Sequence, residues 1–141
     1  MITARFMLDT NIISDVVRNP AGPAANVLQT LNSDDICISS IVLSEILFGI
    51  RRRGSERLSR LVEGVLERID VIAYDDVAAR RYADIRTALE TRGTLIGATD
   101  LFIAAHALAL NMVLVTNNMR EFSRVPGLKL ENWLETVTEE Q

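Results

Sequence analysis

The sequence predicts an α/β fold: a mainly parallel sheet covered on both faces by helices, in a three-layer α/β/α sandwich. Three observations carry that expectation. Short apolar runs recur at Phe6-Met7-Leu8, Ile36-Cys37-Ile38, Val71-Ile72-Ala73-Tyr74 and Val113-Leu114-Val115-Thr116, each bounded by polar or turn residues, as buried parallel strands are. Stretches of helical period alternate with these runs, and such strand–helix–strand units take right-handed crossovers. The first run ends abruptly in Asp9-Thr10-Asn11. That puts an acid, a hydroxyl and an amide at the carboxyl end of a strand, where open α/β sheets bind their ligands.

The elements follow in order. After the first strand, Asn11 to Val17 reads as a short helix stopped by Asn19-Pro20. A second helix, Ala24 to Leu31, repeats Ala24, Val27, Leu28 and Leu31 at helical spacing. Asn32-Ser33-Asp34-Asp35 is turn chemistry before the strand at Ile36. Ser39-Ser40 offers helix-start side chains for Ile41 to Ile50, which is apolar on nearly every face except Ser44 and Glu45. Beyond Gly54, Leu58, Leu61, Val62, Val65, Leu66 and Ile69 form an amphipathic helix. Asp76 to Arg92 is a long helix expected to bury Val77, Ala78, Tyr82, Ile85 and Leu89, ended by Gly93. Thr99 opens a helix to about Leu110, and the strand at Val113 leads to Asn117-Asn118 and a short turn to Phe122. Pro126-Gly127 precedes an edge strand, Leu128-Lys129-Leu130, and residues 134–141 read as a frayed tail.

Composition narrows the class. A length of 141 residues fits one domain with a single core, 1–141, and 48% hydrophobic with 24% charged residues is globular rather than disordered. No apolar run approaches a membrane span and no signal-peptide order opens the chain, so a cytoplasmic protein without membrane contact is expected. The single cysteine, Cys37, lies in an apolar run and forms no intramolecular disulfide. A net charge of −4 argues against a broad nucleic-acid-coating surface. A local basic patch remains: Arg51, Arg52, Arg53, Arg57 and Arg60 are opposed there only by Glu56. Arginine suits bidentate phosphate contacts, and a run of cations also simply complements a helix C-terminus.

Three acids stand in apolar surroundings. Asp9 ends the first strand, where an Asp also serves as an ordinary N-cap. Glu45 interrupts Ile41-Val42-Leu43-Ser44-Glu45-Ile46-Leu47-Phe48, a stretch expected to be buried unless Glu45 pairs with an arginine or leaves to the surface beside Ser44. Asp100 sits in the first turn of Ala98-Thr99-Asp100-Leu101-Phe102-Ile103-Ala104-Ala105, the most apolar helix of the chain. A buried unpaired carboxylate costs several kcal/mol, and the helix dipole returns only about 0.3–1 kcal/mol. Such acids need a partner, either an arginine or a shared cation. Oxygen ligands without a cysteine or histidine cluster suit Mg²⁺ or Mn²⁺. His106, the only histidine, falls about 120° around the helix from Asp100 and reads as structural or solvent-facing, not as a ligand.

Other carboxylate machines fit less well. A haloacid-dehalogenase-type phosphatase needs a second Asp where Asn11 stands, and a receiver domain needs adjacent acids and a lysine that Lys129 does not provide. No Gly-rich phosphate loop, nucleophile elbow or zinc spacing occurs. Leu8-Asp9-Thr10-Asn11 with Ser14, Ser39-Ser40 leading to Glu45, Ile96-Gly97-Ala98-Thr99-Asp100 through Ala107, and Val115-Thr116-Asn117-Asn118-Met119-Arg120-Glu121-Phe122 together resemble a PIN domain. The resemblance runs from Phe6 to Trp133 and is to the VapC-type toxins of toxin–antitoxin pairs, close to the FitB-like branch.

That resemblance implies a Mg²⁺- or Mn²⁺-dependent endoribonuclease that inhibits growth by cutting RNA, with transfer RNA among the candidates. It also implies an α/β/α sandwich, a homodimer and inhibition by a small VapB-like antitoxin. It puts Asp9, Glu45 and Asp100 on the catalytic, metal-binding positions, with Thr10, Asn11 and Asn117 in support. The chain departs from the pattern where many PIN domains carry a fourth acid: here Asn118 stands, and Glu121 replaces that acid if the short turn folds back. Arg51, Arg52 and Arg53 are the candidate RNA contacts. The expected antitoxin places an arginine among the three acids and a further segment in a groove lined by Leu47, Phe48, Leu58, Leu61, Val62 and Val65. Two other readings stay open on the residues alone: a non-catalytic binding module with a partner-neutralised acidic pocket, and a DNA-directed or structure-specific nuclease of the same fold.

Overall fold

Five parallel strands in the order β3-β2-β1-β4-β5 form the centre of the computed structural model, which describes residues 4–135. They are β1 (Phe6–Leu8), β2 (Ile36–Ser39), β3 (Asp70–Ile72), β4 (Val113–Val115) and β5 (Lys129–Glu131). Helices flank them: α1 (Thr10–Arg18), α2 (Pro23–Gln29), α3 (Ser40–Arg53), α4 (Glu56–Leu66), α5 (Asp76–Arg92), α6 (Ala98–Ala109) and α7 (Met119–Phe122). In the register, Met7 lies opposite both Cys37 and Leu114, and Leu8 opposite Val115. The order reverses at β1, whose neighbours are β2 on one side and β4 on the other. The crevice outside the carboxyl ends of β1 and β4 is therefore a topological switch point, the place where such sheets accept ligands.

The central strands are buried beyond their first residues, with Met7, Leu8, Cys37, Ile38, Leu114 and Val115 sealed by helices. Leu101, Ile103, Ala104, Ala105 and Ala107 of α6 are equally buried, so this helix has almost no solvated face, as its composition predicts. Side-chain caps define the helix starts. Asp9 opens α1, Ser39 opens α3 and Asp75 opens α5, each accepting a backbone N–H of the first turn. Gly54 at φ 65° and Gly93 at φ 68° take the left-handed conformation that ends α3 and α5.

Several expectations are amended. Helix α3 runs past Ile50 to Arg53, and α4 stops at Leu66, although Ile69 beyond it is buried. The turn residues at Ser33–Asp35 form a single 3₁₀ turn. Strand β3 is an edge strand with Val71 44% exposed, not a buried one, and Tyr74 leaves the ladder to donate its N–H to Ser40 Oγ. Val77 is 52% exposed, because α5 turns Ala78, Ile85 and Leu89 inward and leaves its neighbour one residue earlier facing water. The expected tail begins inside the described chain at Leu134 and Glu135; residues 136–141 lie outside it. Trp133 is buried edge-on against Phe6, with ring centroids 5.4 Å apart, and its indole N–H donates to Glu131. Among the described residues no helix is long and apolar enough to cross a membrane.

Candidate active site

Asp9 is where the switch-point crevice begins. Its backbone N–H bonds to the Val115 carbonyl, which extends the β1–β4 ladder by one step and fixes the side chain beside the end of β4. The carboxylate is 5% exposed and held at both oxygens: Oδ1 accepts the Thr10 backbone N–H and Oδ2 the Thr116 hydroxyl, both at 2.8 Å. Burial raises its pKa, the bonds from Thr116 and Thr10 hold it down, and the charge of Glu45 adds to the rise. The capping reading of Asp9 is thus correct and incomplete, because one oxygen caps α1 while the other faces a second strand.

Glu45 is not buried. It is an exposed residue of α3, because the helix turns Val42, Ile46 and Ile50 to the core and leaves the opposite face, with Ser44 and Phe48, open. Its Oε1 accepts the Thr10 hydroxyl at 2.7 Å. A single residue, Thr10, therefore bonds Asp9 through its backbone and Glu45 through its side chain. On the far side of the crevice, Asn118 does the same for the remaining acids. Its amide nitrogen donates to Asp100 Oδ2 at 3.2 Å and to Glu121 Oε2 at 3.1 Å. The short turn does fold back, as α7, and brings Glu121 into a side-chain hydrogen bond with Asp100. Two carboxyls so bonded share a proton. Burial, the bond to Glu121, and the charges of Asp9, Glu121 and Glu45 push Asp100 up to about 7, while the same bond, with that from Asn118, lowers Glu121.

These four acids lie within electrostatic reach of one another with little to balance them. Among the described residues the ion pairs are Arg5–Asp35 and Arg86–Glu90, neither of them in the crevice; Arg124 contributes to lowering Glu121, and Arg52 and Arg53 line the groove that also holds Glu45. Asn11 completes the floor. Its amide nitrogen donates to Asn117 Oδ1, and its own Oδ1 is buried with no partner. Four carboxylates, two threonine hydroxyls and amide oxygens make a hard, oxygen-only donor set of the kind Mg²⁺ and Mn²⁺ take. The fit is chemical rather than pre-formed: among the described residues no three acids close on one point.

Sequence reasoning missed Thr116. It is fully buried, donates to Asp9 and accepts the Asn118 backbone N–H at 3.0 Å, so it ties the two halves of the site together. The signal was a polar residue ending an apolar strand, as Asp9 ends its own, but only the Leu8–Val115 register makes the two neighbours.

The arginine run divides. Arg52 and Arg53 line a groove of about 430 Å³ that starts at Thr10 and Glu45 and is floored by Ile13, Val17, Ile50 and Val62. Arg51 instead faces Glu56 and Glu63 in a separate shallow pocket. Of the apolar side chains expected to line the groove, Leu58 and Val62 do so, whereas Leu47 lines that separate pocket, Val65 lines another with Leu28 and Ile69, and Phe48 and Leu61 are 65% and 47% exposed.

Comparison with known proteins follows this geometry. Residues 6–128 match the PIN domain. The chain is 40% identical over 130 residues, 92% of its length and 98% of the relative's, to the tRNA(fMet)-specific endonuclease VapC of Salmonella typhimurium strain LT2. It is also 40% identical to ribonuclease VapC2 of Rickettsia felis, over 91% of this chain and 97% of that one. The DNA-bound VapBC complex from Salmonella typhimurium contains a chain that superposes with a TM-score of 0.85 at 39% identity, covering 92% of this chain and 98% of that one. The chain belongs to the PIN-domain family and, within it, to the VapC ribonucleases.

Proposed function

We propose that the chain is the ribonuclease toxin of a toxin–antitoxin pair, hydrolysing RNA phosphodiesters with a divalent cation, Mg²⁺ or Mn²⁺, held by Asp9, Asp100, Glu45 and Glu121. One observation carries the site: among the described residues the acids at the switch point form no ion pair, and burial, the bond to Glu121 and the charges of Asp9, Glu121 and Glu45 together push Asp100 up to about 7. Such a cluster is at rest only when a cation joins it. The ion supplies Lewis acidity, acidifying water and neutralising charge that builds on the phosphate. Thr116 and the Thr10 N–H hold the Asp9 carboxylate in one orientation. Asn118 keeps Asp100 and Glu121 facing each other, so that both carboxylates, deprotonated when a cation is bound, can turn an oxygen toward it. Asn11 donates its amide N–H to Asn117 Oδ1, which holds the two amides together at the floor of the crevice. Arg52 and Arg53 contact phosphates of the strand leading into the crevice; Arg51, which lines a separate pocket with Glu56 and Glu63, does not.

The name of the Salmonella relative makes a transfer RNA the first substrate to try. The test is cleavage of transfer RNA by purified protein with Mg²⁺, Mn²⁺ or EDTA, with single-stranded DNA as the competing substrate. Cleavage that survives EDTA, or full activity of Asp9→Asn or Asp100→Asn, overturns the assignment. Preference for DNA overturns the substrate.

The partner belongs to the same proposal. A cluster built for a cation also suits a guanidinium, which is always charged and bonds carboxylates in bidentate fashion. The antitoxin places an arginine among the acids and an apolar segment in the adjoining groove, between α1, α3 and α4. A homodimer is the expected assembly, and Phe48, 65% exposed on α3, is an apolar side chain available to it.

A further inference from the structure

His106 is the single histidine of the chain and is 1% exposed, midway along α6. Its Nδ1 lies 2.8 Å from Oγ of Ser39, which is fully buried. Ser39 ends β2 and caps α3, where the same Oγ accepts the Ile41 backbone N–H at 3.0 Å. The contact therefore joins the middle of α6 to the first turn of α3. Those helices carry Asp100 and Glu45, each six residues from its own end of the bond, or about 9 Å along the helix axis. Tyr74 closes the pair from outside, edge-on to His106 and to Phe102 with ring centroids 5.5 Å away in both cases. Its backbone N–H donates to Ser40, so the exit from β3 is tied to the same helix start.

As a contribution to stability alone this arrangement is poor value. A leucine of similar volume would fill the space without desolvating a ring nitrogen and a hydroxyl. What the bond supplies and packing does not is a fixed distance and angle between two helices. We infer that the His106–Ser39 hydrogen bond is a positioning device for the active site, setting α6 against α3 and so the separation of Asp100 from Glu45. The inference rests on the cation site proposed above, and both residues act through the helices they join.

The test measures Mn²⁺ affinity of the purified full chain by calorimetry, with melting temperature, kcat and KM for RNA taken in parallel. His106→Leu keeps most of the volume and removes the bond. His106→Asn puts an amide atom where Nδ1 stood and leaves a cavity. Ser39→Gly removes the hydroxyl while retaining a serviceable N-cap. The Leu and Gly variants are expected to lose about fivefold in Mn²⁺ affinity and in kcat, the size of one net buried hydrogen bond, with KM unchanged. The Asn variant should stay near wild type in both although its melting temperature falls furthest. Affinity that follows melting temperature across the three variants overturns the positioning role, and so does unchanged affinity in the Leu and Gly variants. If His106→Leu does not fold, Ser39→Gly against His106→Asn carries the same comparison. Wild-type protein that binds no Mn²⁺ overturns the cation site itself, and this inference with it.

Discussion

Replacing Asp100 with Asn should make the cation-free protein more stable, not less, at neutral and alkaline pH. A carboxyl that titrates at about 7 in the fold and near 3.8 in the unfolded chain holds its proton more tightly when folded. The folded state then binds more protons between those two values, and stability falls as pH rises through that window. Taken at face value the loss would approach about 4 kcal/mol above pH 7. Asp100 is only half-buried, however, so solvent screening removes much of it. Glu121, displaced in the opposite direction by the same shared proton, returns another part. About 1–2 kcal/mol remains, or a rise of roughly 3–6 °C in melting temperature for a chain of this size. The assay is thermal unfolding of wild type and Asp100→Asn in EDTA at pH 4, 6 and 8. The gap should be absent at pH 4 and widest at pH 8, and Mg²⁺ should stabilise wild type while leaving the variant unmoved. An Asp100→Asn protein that melts below wild type at pH 8 in EDTA would refute the electrostatic account of the cluster.

The other expectations test separate parts of the site. Mn²⁺ affinity of the wild type should weaken steadily as pH falls below about 7, the value at which Asp100 takes up its proton; a flat profile from pH 6 to 8 would count against Asp100 as a ligand. Thr116→Val removes the bond that holds the pKa of Asp9 down, so it should cost about 1–3 kcal/mol of stability and move the acid limb of kcat/KM to higher pH. Thr116→Ser should restore that limb, and a Val variant with an unmoved limb would remove Thr116 from the mechanism. Arg52→Ala with Arg53→Ala should flatten the salt dependence of RNA binding by about two contacts, while Arg51→Ala leaves it unchanged; equal effects would dissolve the division of the run. Phe48→Lys should lower the association state seen by sedimentation, and an unchanged mass would place the dimer contact elsewhere.

The sheet and the order of its helices were readable because buried parallel strands and amphipathic helices write their burial into periodicity. Asp76–Arg92 matched to the residue, since Asp75 and Gly93 mark both ends chemically. Errors came where burial is decided by neighbours. Val71 is apolar and exposed because β3 is an edge, and nothing local distinguishes an edge strand from a central one. Glu45 was expected to be buried because its segment is apolar nearly all round, yet its face is open and Phe48 shares it. Asp9, Asp100 and the return of Glu121 were legible as residue types out of place or as a turn folding back. Thr116 was not, because its importance lies in a strand register 107 residues distant from Asp9. His106 read as structural or solvent-facing, and burial decides for the first; its partner, Ser39, stands 67 residues away.

In the proposed site one set of residues serves both as the engine and as the point of restraint. Uncompensated acids at a switch point have a high electrostatic energy that any cation relieves, whether a metal ion or an arginine side chain. The groove of Arg52, Arg53, Ile50 and Val62 opens beside Glu45, so a segment lying in it would occupy the approach that the RNA strand needs. On this reading inhibition requires no second conformation of the toxin. The antitoxin competes for the charge of the crevice and for the path into it at once, and its affinity should therefore fall as Mg²⁺ is raised. Complex formation that is indifferent to Mg²⁺ at concentrations saturating the free protein would mean that the inhibitor leaves the acids alone and acts through the groove only.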